Sequence, residues 1–182
     1  EIRDRYVLDD ERFTDPIEVA EAYRYVGQAL SAMSEMYLET DPDHPRFASI
    51  VTPARKLQGD NPDAIYHYAS VRGDRSYRVT GRIDRQCYTS FTVHGEAADG
   101  GFAGPLLGDV NDRDFEVADD GTYELTFSAE ERPGNWLRLH PDAVAIIVRS
   151  YYQRPVSAQN DASVAVEIDI SVIDEVPPPP PL

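Results

Sequence analysis

Between Asp15 and about Thr40 the apolar residues Val19, Tyr23, Val26, Leu30, Met33 and Tyr37 recur three and four positions apart, the period that lines up one stripe on an α-helix. The pattern predicts one long amphipathic helix. Asp15 is placed to cap it, Pro16 suits the first helical position, and Glu18 completes a capping-box arrangement. Pro42 and Pro45 mark its end.

Beyond the helix the period changes to two. Val164, Val166, Ile168, Ile170 and Val172 alternate with Ala165, Glu167, Asp169 and Ser171, as expected of a strand with one face in a core and one in water. Val144, Ile146 and Val148 behave alike. The opposite face there runs Ala145, Ile147, Arg149, Tyr151 and turns polar towards its end. Around Asp119-Asp120-Gly121 the apolar pattern selects a three-residue hairpin loop. It would pair Val117 with Tyr123 and Phe115 with Leu125, with Gly121 left-handed. With 47–51, 64–71, 76–83, 88–93 and 136–139 the pattern gives about nine strands, an antiparallel β-sandwich or jelly roll with the helix packed on it. The glycine-rich stretch 95–111 reads as a mobile loop.

The chain has 182 residues, enough for a core without staples. The expected organisation is one domain over 1–173 and a proline-rich linker over 174–182, after which the gene product is expected to continue. With 33 acidic and 17 basic residues the net charge is −16. Such a surface repels phosphate backbones and anionic lipid, so nucleic acid and membranes are not expected partners. No apolar run has membrane-spanning length, and a soluble, cytoplasmic protein is expected. The single cysteine, Cys87, excludes an internal disulfide and is expected to be buried.

No nucleotide-binding loop, zinc-protease or serine-hydrolase motif, or paired cysteine set is present. His44, His67, His94 and His140 are scattered. His67, His94 and Asp63 could form a two-histidine, one-carboxylate set only if the fold assembled them; no metal or cofactor is assigned. In "GDNPDAIY" the turn-forming habits of Asn61 and Pro62 account for those two residues. They do not account for Tyr66 and Tyr68 on one strand face with His67 on the other. Asp60, Asn61, Asp63, Tyr66, Asn135, Trp136, Arg149 and Tyr151 are therefore the candidate ligand-binding residues, with Arg149 as an anion clamp and Trp136 as a wall or, more simply, a core anchor. Arg55 and Lys56 form a local positive patch that could attract an anion or pair with nearby acids.

The segments "HPRFASIVTPARKLQGDNPDAIYHYASV", "YTSFTVHG" and "RPGNWLRLHPDAVAIIVRSYY" together resemble a bacterial family known as domain of unknown function 1214, over about Tyr6 to Ile173. The matching motif residues are Asp60, Asn61, Pro62, Asp63, Tyr66, Gly134, Asn135, Trp136, Arg149 and Tyr152. The resemblance implies a β jelly roll found in longer proteins beside a companion β domain, and no activity. Three functions remain open: a non-catalytic module for a small, partly apolar, neutral or anionic ligand; a hydrolase or lyase with His94 or His67 as base and Asp63 or Asp60 orienting it; and a structural jelly roll that assembles with another domain or copy.

Overall fold

The computed structural model describes residues 15–57, 59–98 and 104–179. Its elements are a helix α1 (Pro16–Met33) and nine strands: β1 (Ala48–Ser49), β2 (Ala64–Ser70), β3 (Tyr77–Arg82), β4 (Tyr88–Gly95), β5 (Leu106–Asn111), β6 (Thr122–Ser128), β7 (Trp136–Arg138), β8 (Ala143–Tyr151) and β9 (Glu167–Val172). They form two sheets, ordered β1-β2-β8-β4-β5 and β7-β6-β3-β9. Apart from the parallel pair β6 and β7, neighbouring strands are antiparallel.

The two sheets close on a shared core. Phe91, Val93, Ile146 and Val148 from the first meet Tyr77, Val79, Leu125, Phe127 and Ile170 from the second. Phe91 sits at its centre, with the rings of Phe115, Tyr123 and Phe127 each about 6 Å away, tilted or edge-on as aromatic quadrupoles prefer. The expected alternation along β9 is present, with Ile168, Ile170 and Val172 turned inward.

Asp15 caps α1 as its sequence implies: its carboxylate accepts from the Ile17 amide at 2.7 Å and Glu18 reaches back to the Asp15 amide. The helix runs on through a π-helical turn at Ser34–Leu38 and stops before the prolines. Its buried stripe is shared only in part with the expected one: Val19, Val26 and Met33 are half-buried, but the tightest contacts lie at other residues. Ala32 and Met36 are sealed against Ile50, Val51, Leu57, Tyr68, Ala145 and Ile147, with Ala29 and Met33 beside them. Leu30 is 59% exposed, Tyr37 46% and Tyr23 39%. The small alanines let the backbone approach the outer face of the first sheet, whereas the larger side chains would hold it away.

Three further expectations are corrected. Residues 115–117 form no strand. The backbone of Glu116 is held by the Asn135 side chain, which accepts from its amide and donates to its carbonyl, both at 2.8 Å, and donates again to Glu124 O at 2.9 Å. Gly121 is nonetheless left-handed, φ +86°, within the turn that Ala118 and Thr122 close. The ninth strand is instead β5, inside the stretch expected to be loop; residues 99–103 of that stretch lie outside the described residues. Finally, Cys87 is exposed, its thiol 3.4 Å from the Tyr151 carbonyl.

Candidate functional site

Register decides which candidates meet. On the outer face of the first sheet Tyr66 of β2 lies opposite Arg149 of β8, and Arg149 lies opposite Ser90 of β4. One row along are Tyr68, Ile147 and Thr92; one row the other way are Ala64, Tyr151 and Tyr88. Helix α1 covers the Tyr68–Ile147–Ala145 end. The Tyr66–Arg149 part of the face is bordered by the loop segments 51–57 and 59–60.

That loop and the sheet enclose a hollow of about 200 Å³ lined by Ile50, Val51, Leu57, Gly59, Asp60, Tyr66, Ile147 and Arg149. The lining mixes aliphatic side chains with a carboxylate from the loop and a phenol and a guanidinium from the sheet. Arg149 Nη1 donates to Thr92 Oγ1 at 2.7 Å. Arg149 is half-buried and forms no ion pair among the described residues; Arg82, Arg113, Arg132 and Arg138 form none either but are exposed, and the other described arginines are paired. The Tyr66 hydroxyl accepts from the Asn61 amide at 3.2 Å. Burial raises its pKa, the Tyr151 hydroxyl adds to the rise, and the Asn61 amide and Arg149 oppose it. Tyr66 thus stays a neutral donor beside the cation. The carboxylate of Asp60 is only 12% exposed, accepts no hydrogen bond among the described residues, and has Lys56 Nζ 4.0 Å away.

His94 shares this sheet face, one strand over. Its Nε2 lies 3.1 Å from Thr92 Oγ1 and its Nδ1 3.3 Å from Gly104 O. A carbonyl can only accept, so in the neutral ring Nδ1 carries the proton and Nε2 takes the Thr92 hydroxyl. Burial lowers the His94 pKa, and Arg149 lowers it further against the Gly104 hydrogen bond. A second hollow, about 240 Å³, lies beside the ring between Tyr37, Tyr68, Gly104 and Ile147.

The remaining candidates are elsewhere. His67 points into the interface between the sheets, opposite Val148 and edge-on to Phe47. Burial lowers its pKa to about 4, and Nδ1 has no partner among the described residues. His67 and His94 therefore occupy opposite faces of one sheet, and the set of His67, His94 and Asp63 is not assembled. Among the described residues no group of three histidine, cysteine or acidic side chains is arranged to hold a metal. Asp63 is exposed; its amide accepts nothing but donates to Asn61 Oδ1, and its carbonyl takes the Tyr152 amide. Asn61 is occupied in that turn, as its sequence implies. The histidines that do touch carboxylates are His44 with Asp41 at 2.8 Å and His140 with Asp142 at 3.7 Å, both within local turns.

Trp136 and Asn135 belong to the other sheet. Trp136 lies opposite the outward-facing Thr126 and donates its indole N–H to Ser128 Oγ at 3.0 Å, so it and Arg149 occupy the two opposite outer faces of the sandwich and line no common hollow. All the polar atoms of the Asn135 amide are taken by Glu116 and Glu124. A larger hollow, about 850 Å³, lies near it on that second face, rimmed by Glu116, Glu124, Glu167 and Asp169 with Arg82. It is an open groove across a sheet, and the charged residues that rim it are all exposed. Arg55 pairs with Glu35 at 2.7 Å, the second of the two fates open to that patch.

Thr92 is the residue sequence reasoning passed over. Tyr88, Ser90, Thr92 and His94 alternate with Thr89, Phe91 and Val93, and that polar outer face was the available signal.

An uncharacterised protein from Burkholderia cenocepacia has the same architecture, with a TM-score of 0.82 and 32% identity over 99% of this chain. The chain spans about half of that protein, 49% of its length. A Vibrio parahaemolyticus protein aligns with 73% of this chain at 18% identity and a TM-score of 0.39, too distant to inform the site. No protein-family model matches the chain, and no curated protein does. The class defined by fold and site is thus a two-sheet β-sandwich whose helix covers half of one outer face and leaves a small polar-apolar hollow beside it. Among the described residues no helix is long and apolar enough to cross a membrane.

Proposed function

We propose that this protein is a non-catalytic binding module for a small, partly apolar ligand carrying an anionic group. The ligand sits in the hollow between the 51–60 loop and β2–β8, with Arg149 as its anchor. One observation carries the reading: Arg149 is a half-buried guanidinium without a carboxylate partner among the described residues, in a chain that has 33 acidic residues. Where acids outnumber bases about twofold, a half-buried cation left without a carboxylate is a docking point for an anion brought from outside. Thr92 holds it from behind, and the aliphatic residues in the lining supply the apolar contact.

An enzyme reading has less support. His94 is held by a threonine and a carbonyl, with no carboxylate to orient it as a base.

The test is a fragment screen on the full chain by protein-observed NMR, repeated with Arg149→Met. Hits that perturb Tyr66 and Ile147 and vanish in the variant are expected. A screen whose hits bind equally well to Arg149→Met would overturn the proposal.

A further inference from the structure

The hollow presents two opposite charges, Asp60 and Arg149, that line the same space and do not pair with one another. In a cavity this small, unlike charges would be expected to close on each other unless backbone and packing hold them apart. Here each is held from its own side: Arg149 by Thr92 across the sheet, Asp60 on the loop, flanked by Lys56. Neither oxygen of Asp60 accepts a hydrogen bond among the described residues, and the carboxylate is nearly enclosed. The pair therefore offers one acceptor pole and one donor pole to the same guest.

Resting on the reading of this hollow as a ligand site, the geometry points to a small zwitterion, an α-amino acid with a branched aliphatic side chain. Its carboxylate lies on Arg149 and the Tyr66 hydroxyl, its ammonium on Asp60, and its side chain against Ile50, Val51, Leu57 and Ile147. Size agrees: about 200 Å³ holds the volume of about seven waters in the liquid, enough for a free amino acid. Charge agrees as well. A chain at −16 repels anions at long range but not a molecule of zero net charge.

Isothermal titration of the full chain with three probes tests this: L-leucine, 4-methylpentanoate (leucine without its ammonium) and 3-methylbutylamine (leucine without its carboxylate). Leucine is expected to bind at least about tenfold more tightly than either, as one lost charged contact implies. Asp60→Asn is expected to bring leucine down to the affinity of 4-methylpentanoate, and Arg149→Met to abolish both. The wild-type comparison needs no variant to fold. If 4-methylpentanoate binds as tightly as leucine, the zwitterion inference is overturned while an anion site at Arg149 stands. If the amine alone binds, both the inference and the anion-site reading are overturned. If leucine does not bind, the inference is overturned, and the fragment screen judges the site separately.

Discussion

Arg149 and Thr92 are diagonal neighbours on β8 and β4, and the guanidinium donates to the hydroxyl at 2.7 Å. The same hydroxyl has two acceptors for its own proton, Ile147 O and His94 Nε2, both at 3.1 Å. One small side chain thus ties the anchor of the candidate site to the histidine beside it. Thr92→Val keeps the shape and removes the oxygen. The expected cost is about 1 kcal/mol of stability, limited by the solvent that can reach Arg149, read from urea denaturation. Loss of Arg149 order should appear as a wider guanidinium Nε–H exchange in NMR.

His67 makes stability depend on pH. Its folded pKa is about 4 against about 6.5 in the unfolded chain, so the unfolded state takes up the proton first as pH falls. The contribution is fully present above about pH 6.5 and is lost progressively down to about pH 4, with a total on the order of 3 kcal/mol. His67→Gln should flatten this segment of the stability profile. An unchanged slope between pH 6.5 and 4 in the variant would refute the assignment.

Thr89 and Ser150 are register partners on the inner face, both fully buried, and neither hydroxyl has a partner among the described residues. Burial of an unsatisfied hydroxyl costs stability. Thr89→Val and Ser150→Ala are therefore expected to be neutral or stabilising by up to about 1 kcal/mol. By contrast Ser128→Ala, which strips the acceptor from the Trp136 indole and the donor to Glu130 O, should destabilise by about 1–2 kcal/mol. Thermal melts of the three variants distinguish the cases.

The helix orientation predicts opposite outcomes for neighbours. Leu30→Glu faces water and should change stability by less than about 0.5 kcal/mol. Ala32→Glu forces a carboxylate between the helix and Ile147 and should cost about 3 kcal/mol or more. A larger loss from Leu30→Glu than from Ala32→Glu in denaturant melts would mean that the helix packs on the stripe of Tyr23, Leu30 and Tyr37.

Asn135→Ala breaks three hydrogen bonds on the second sheet and should cost about 2–3 kcal/mol. Ligand affinity at Arg149 should not change below the melting transition, since the two residues face opposite ways. A parallel loss of affinity at a temperature where the variant is folded would contradict that separation.

Much of this was written in short-range pattern. Period two in β8 and β9, period 3.6 in the helix, the Asp15 cap, the left-handed Gly121 and the turn at Asn61-Pro62 follow from local sterics and hydrogen bonding, which a neighbouring stretch of chain is enough to reveal. So was the placing of Tyr66 and Tyr68 on one face and His67 on the other, because parity along a strand is local. Which strand lies beside which is not local. Register brought Tyr66 and Arg149 opposite each other, put Thr92 behind the guanidinium, and sent Trp136 and Asn135 to the far sheet. The helix stripe was misread for a related reason: spacing alone admits both Tyr23-Leu30-Tyr37 and Ala29-Ala32-Met36, and only close packing against Ile147 and Tyr68 chose the smaller set. Residue pattern determined the elements and the faces; the tertiary structure decided which faces meet, because long-range contacts depend on the packing of whole surfaces.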